Sequence, residues 1–391
     1  MTTWSVVKHD SGEKRRRKHI PRIALLACLA LVVVSLGIAL SPGSPKEPAE
    51  PPFSEQARSA ALADSMRLRA AGEELAGSTS GDAAPAVAQT VSLLTSQARA
   101  LLLPGREEPE TAVSAGPDAP PAAPSGAQSG ARSAAPSGAA TGAESAAALP
   151  PSADALAAAL ADSAAQRLAD AAVADGGMAR LLAAVGTAQL LQASSLAAAA
   201  GAPAPAVPDP AVPPLSGTCP SPAASPSSSP AGASAASAGA GAATPTLPGA
   251  LAATVRTEHE AVYGYQVALT RLGGAAAGRA SEQLALHEAL AAGAEALSRV
   301  HCAPVPQREA GYSMEQDFLT DPSAGLGGLE ASALPVYGDL VALSEGQTRQ
   351  WAIAGLVGAA RRSAAWGAET GALPGLAVDP AGFPELPLPS P

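Results

Sequence analysis

Glu258 interrupts an apolar helical stripe. Leu251, Val255, Val262, Tyr265, Leu269 and Leu272 recur in alternating steps of four and three, and Glu258 falls on the same face. A buried carboxylate is costly unless it is paired, protonated or coordinated. Glu258 therefore has a partner, or it stands at a bundle end that water reaches. Three further stripes carry one polar group each. His287 shares a face with Leu284, Ala291 and Ala294. Glu330 shares one with Leu326, Ala333, Tyr337 and Leu340. Arg362 shares one with Ala352, Ala359 and Trp366. Two carboxylates, an imidazole and a guanidinium can thus converge, and two chemistries are open to them. The first is a buried hydrogen-bonded network, in which the planar fork of Arg362 suits a carboxylate. The second is a metal site with Glu258, His287 and Glu330 as ligands, an oxygen and nitrogen set compatible with iron or manganese. His259, Glu260 and Glu288 flank these positions and are expected to be solvated.

The elements that position these residues are helices. Their spacing predicts helices over residues 249–272, 276–301, 325–344 and 347–368. A longer connection carrying Pro304, Pro306, Gly311 and Pro322 separates the second from the third. Two hairpins joined in this way make a four-helix bundle over residues 248–375. Pro335 lies inside the third helix and is expected to kink or split it.

The run Glu258-His259-Glu260-Ala261-Val262-Tyr263-Gly264-Tyr265, with Ala285-Leu286-His287, Leu329-Glu330 and Tyr337-Gly338-Asp339-Leu340-Val341, resembles a family of ferritin-like domains of unknown function. That family occurs in secreted or membrane-anchored proteins of high-GC Gram-positive bacteria, and the likeness covers the C-terminal third of the chain. It implies a ferritin-like four-helix bundle but not the ferritin reaction. Di-iron bundles take one Glu from each of two helices and a Glu-x-x-His pair from each of the other two. Glu258 and Glu330 match the lone glutamates and His287 matches one histidine. The residue three before His287 is Leu284, however, and the fourth helix reads Ala359-Ala360-Arg361-Arg362-Ser363. Half of the ligand set is missing, so the network of Glu258, His287, Glu330 and Arg362 is the leading expectation. A degenerate iron or manganese site is the alternative.

The rest of the chain is also read as all-α. Residues 54–103 hold two helices (54–76 and 86–103), and residues 151–200 hold two more (152–174 and 178–200). Ser152 is a candidate N-cap, and Gly176-Gly177 is expected to break the second pair. These Ala-rich helices form either a loose bundle or amphipathic helices without a tight core. Residues 105–150 and 201–247 are Ala/Pro/Ser-rich with few large apolar groups, the composition of disordered linkers; residues 376–391 are a tail. Large aromatics dominate core energetics, and all four tyrosines lie after residue 250. The best-packed region is therefore expected to be C-terminal.

Near the N-terminus, residues 23–40 contain no charged side chain. As a helix they would span about 27 Å, just enough for a bilayer core of about 30 Å. Residues 1–22 hold seven Lys or Arg against two acidic residues, and the basic run 14–18 sits directly before the apolar segment. The positive-inside rule then leaves the N-terminus cytoplasmic and the body outside, in a single-pass plasma-membrane protein. Cleavage near Ala39-Leu40-Ser41 would instead give a secreted protein. The whole chain carries a net charge of −10, which argues against nucleic acid as a partner. Of three cysteines, Cys219 and Cys302 fall in the exterior part. An oxidising compartment favours a disulfide between them, with two unpaired thiols as the alternative. His301 beside Cys302 reads as a solvated helix-end residue. No phosphate-binding loop, nucleophile elbow or zinc spacing is present. The functional expectation is a membrane-anchored, non-enzymatic interaction or scaffold module with an envelope protein or a second copy as partner. The alternative is a metal-binding or redox protein.

Overall fold

The computed structural model describes residues 50–102, 149–206, 212–215, 217, 219, 245–376 and 382–386. The basic segment 1–22 and the apolar segment 23–40 lie outside the described residues. So do nearly all of the 105–150 stretch, most of the 201–247 linker and most of the tail.

Every regular element among the described residues is a helix. They are α1 (Phe53–Ala76), α2 (Ala83–Leu101), α3 (Ala153–Val173), α4 (Gly176–Ala199), α5 (Leu247–Leu269), α6 (Gly274–Val300), α7 (Gln316–Thr320), α8 (Pro322–Leu343) and α9 (Gly346–Ala365). Alanine, leucine and arginine propagate them, and local chemistry marks their starts. Asp175 accepts from Met178 N at 3.2 Å, Thr246 from Gly249 N at 3.3 Å, and Asp321 from Ala324 N at 3.1 Å. Pro322 stands at the first position of α8 and Pro248 at the second of α5, within the first turn where no N–H is needed. Ser152 occupies the N-cap position of α3 without a side-chain capping bond.

Helices pack as consecutive hairpins: α1 with α2, α3 with α4, α5 with α6 and α8 with α9. α5 also packs on α8, and α4 on α8. From Pro52 on, the described helices belong to one compact unit. The largest of three buried clusters among the described residues runs from Ala61 and Leu101 through Leu182 and Val185 to Leu251, Tyr337 and Leu356. The described helices within 54–103, 151–200 and 248–375 all lie in this unit. The Ala-rich helices keep a cluster of their own around Leu68, Leu94, Leu156 and Leu196, and α4 also packs on the C-terminal helix α8. α4 is the one described helix long and apolar enough to cross a membrane. Its residues Leu182 to Leu190 are buried without a break, the pattern of a helix enclosed by others.

Two expected breaks differ from what is found. α3 stops at Val173, and Gly176-Gly177 begin α4 rather than separate the pair. A Cβ on Gly176 would overlap the Ala342 carbonyl of α8, so this glycine permits close approach of the two helices. α8 runs through Pro335 without splitting. Its flanks are held by burial on one side, where Ala333, Leu334, Tyr337 and Gly338 are all enclosed.

Candidate functional site

α5, α6, α8 and α9 each deliver polar side chains to one buried point. α5 supplies Glu258 and Tyr265, and α8 supplies Glu330 and Tyr337. α6 supplies Gln283 and His287; α9 supplies Arg362, with Trp366 at its end. Glu258, Tyr265 and Tyr337 have no exposed surface, and His287 and Glu330 each have 1%.

The bonds form a closed set. His287 Nδ1 lies 2.8 Å from Glu258 Oε2, and His287 Nε2 lies 2.7 Å from Glu330 Oε1. Arg362 Nε donates to Glu330 Oε1 at 2.9 Å. Tyr337 donates to Glu258 Oε1 at 2.6 Å, and Tyr265 donates to Glu330 Oε1 at 2.7 Å. Trp366 Nε1 donates to Gln283 Oε1 at 2.6 Å and to the Tyr265 hydroxyl at 3.0 Å. With His287 protonated, two carboxylates face one imidazolium and one guanidinium, and the formal charge cancels.

The electrostatics follow from this arrangement. Burial alone would push the His287 pKa down, but its hydrogen bonds to Glu258 and Glu330 reverse the effect and raise it. Burial would likewise raise Glu330, yet His287 and Arg362 hold its carboxyl below the ordinary range. Burial works against the Arg362 charge, and the Glu330 carboxylate more than offsets it. Tyr265 and Tyr337 are pushed up, first by burial and then by the carboxylates they face. Both phenols therefore stay protonated as donors.

A ferritin-type metal centre was tested against this donor set. Both Glu258 oxygens and both His287 nitrogens are already engaged, and three donors crowd Glu330 Oε1. Only Glu330 Oε2 is buried without a partner, as is Arg362 Nη2. A cation at Glu330 would share a carboxylate that Arg362 already contacts through Nε at 2.9 Å. Among the described residues no group of three His, Cys, Asp or Glu is placed to hold a metal ion. The residues present do not fit a di-iron or manganese centre.

The structure brings Glu258, His287, Glu330 and Arg362 together, with Arg362 on Glu330 rather than Glu258. The flanking residues divide. His259 is buried rather than solvated and lies 3.3 Å from Glu295 Oε1, because α6 packs over it. Glu288 is exposed and Glu260 half-buried. His301 is half-buried, with Nε2 2.8 Å from Thr348 Oγ1, so it too is held by a neighbouring helix. Cys219 and Cys302 form a disulfide with a Cα–Cα distance of 5.2 Å.

Sequence reasoning placed Tyr265 and Tyr337 on the stripes only as apolar bulk and missed their hydroxyls. A signal was available. Each tyrosine follows its helix's glutamate by seven residues, Glu258 to Tyr265 and Glu330 to Tyr337. On antiparallel helices that spacing sets each tyrosine opposite the other helix's glutamate. Gln283 and Trp366 carried no comparable pattern.

Among the described residues, the three best-formed surface grooves lie elsewhere, and none is lined by Glu258, His287, Glu330 or Arg362. A DUF4439 domain, a domain of unknown function, is found at residues 250–378, a span that contains all four of these residues. No curated protein and no solved structure matches the chain.

Proposed function

We propose that this chain is a membrane-anchored extracytoplasmic protein whose DUF4439 domain is a ferritin-like four-helix bundle turned to structural use, as an interaction or scaffold module. The observation that carries the reading is the pairing of charges within the cluster. Glu258 and Glu330 spend their charge on His287 and Arg362, with tyrosine hydroxyls closing the gaps. Such a group fixes how four helices meet, and it leaves no nucleophile, open metal position or substrate-facing acid. The anchor is residues 23–40, oriented by the basic run 14–18. The disulfide supports an oxidising location. The partner is an envelope protein or a second copy of the chain.

A reporter enzyme fused after residue 391 tests the placement. Activity only outside the cytoplasm is the expected result. Cytoplasmic activity contradicts the orientation, and a mature protein beginning near Pro42 contradicts permanent anchoring.

A further inference from the structure

The largest of the three grooves, about 770 Å³, runs between α2 and α4 and is closed by the segment after α9 and by Phe383. That volume falls within the roughly 300–1,000 Å³ common for ligand pockets. Its lining combines hydroxyl and carboxamide groups with apolar side chains. Ser92 and Ser96 stand on one wall, Gln192 and Ser195 on the other, over an apolar floor that includes Leu191 and Leu373. No lysine or arginine lines it, and Glu369 is its one formally charged group.

The walls are held in place from behind. Gln192, only 6% exposed, donates Nε2 to Thr90 Oγ1 at 2.9 Å and to the Ala86 carbonyl at 3.2 Å. Gln97 is fully buried and donates to the Ala372 carbonyl at 3.1 Å, tying the closing segment to α2; Gln189 donates to Gln97 Oε1 at 3.0 Å. Arg99 donates to the carbonyls of Pro384 and Phe383 at 3.0 and 3.1 Å and so fixes the far end. These bonds hold the walls of the groove before any ligand arrives, which lowers the cost of binding.

We infer that this groove binds an uncharged saccharide. Gln192 Nε2 and Ser96 Oγ donate within the protein, and the Ser92 and Ser195 hydroxyls and the Gln89 carboxamide, which can donate and accept alike, match the hydroxyl edges of a sugar. The Leu191, Leu373 and Phe383 surfaces match its C–H faces. The lack of any lining cation disfavours phosphorylated and carboxylated ligands. An extended peptide fits less well, because it is held through its backbone by a strand edge or an aromatic-lined groove, and the walls here are two helices. This inference goes beyond the scaffold reading and does not depend on the buried cluster.

Isothermal titration of the detergent-solubilised full chain with maltotriose and with the N-acetylglucosamine trimer tests it. Saturable binding of at least one trisaccharide is expected at millimolar concentration or below. Affinity should fall at least about tenfold in Ser195→Trp, which fills the groove from an exposed position. Ser96→Trp, from the opposite wall, should reproduce the loss if Ser195→Trp misfolds. Absence of binding by both trisaccharides, or binding indifferent to both tryptophans, would overturn the inference. Saturable binding of a Pro-rich peptide in their place would overturn it too and reassign the groove. None of these failures bears on the membrane orientation or on the metal content of the buried cluster.

Discussion

Tyr337 on α8 gives its hydroxyl proton to Glu258 on α5 at 2.6 Å. Tyr265 on α5 returns the same bond to Glu330 on α8 at 2.7 Å. His287 stands between the two carboxylates and serves both. The α5–α8 contact is thus organised around a local two-fold pattern of glutamate and tyrosine. Arg362 breaks the pattern by adding its charge to Glu330 alone.

Removing one phenol tests that pattern. Tyr337→Phe leaves Glu258 Oε1 buried without its donor while keeping the ring in place. A buried acceptor left unpaired costs about 1–3 kcal/mol, more when it is charged. Denaturant unfolding should show a loss of at least that size, and Tyr265→Phe should lose less, because Glu330 Oε1 keeps its bonds to His287 and Arg362. Two silent substitutions would mean that the hydroxyls do not stabilise the carboxylates.

Arg362 and Glu330 should be energetically coupled. Both are buried, so removing either partner strands the other charge at a cost of about 3–5 kcal/mol. Glu330→Gln and Arg362→Met should each destabilise the protein, and the double variant should lose less than the sum. Additive losses would argue that the 2.9 Å contact contributes nothing of its own.

Stability should pass through a maximum in mildly acidic solution. The His287 pKa is raised above its ordinary 6.5, so its contribution is complete below that value and is lost as pH climbs through the folded value. The Glu330 pKa is depressed below its ordinary 4.5, so its contribution is present above that value and is lost as pH falls through the folded one. Both act together between 4.5 and 6.5. Unfolding free energy measured across the pH range should decline on either side, and His287→Gln should flatten the alkaline decline. A wild-type profile still rising above neutral pH would contradict the imidazolium assignment.

The Cys219–Cys302 bridge closes a loop over a sequence separation of 83 residues. By the chain-entropy estimate it stabilises by up to about 4–5 kcal/mol. Non-reducing peptide mapping should recover both cysteines in one linked species, and Cys219→Ser should lower the unfolding midpoint. Labelling of both thiols in unreduced, denatured protein would refute the bridge.

The polar positions were legible because each broke an apolar period. Glu258 between Val255 and Val262, and Arg362 between Ala359 and Trp366, stand out on any helical stripe. Tyr265 and Tyr337 did not, because a tyrosine on a core face reads as bulk until its hydroxyl has a partner. The helical layout was legible for the same periodic reason, whereas the one cap candidate, Ser152, makes no capping bond. The shared core was not. Ala183, Ala184 and Ala188 present faces alike enough that periodicity cannot say which helix they meet. The close approach at Gly176 depends on a carbonyl, Ala342, from a distant part of the chain. His259 was misplaced because its partner Glu295 lies on α6, outside any local pattern.

Metal content tests the central claim most directly. The full chain should be purified from cells grown with iron and manganese and analysed for both elements, alongside Glu258→Gln. The buried cluster satisfies its own charges, so the account predicts no stoichiometric metal in either protein. One or more equivalents of iron or manganese per chain, lost on Glu258→Gln, would contradict it and make Glu258, His287 and Glu330 ligands.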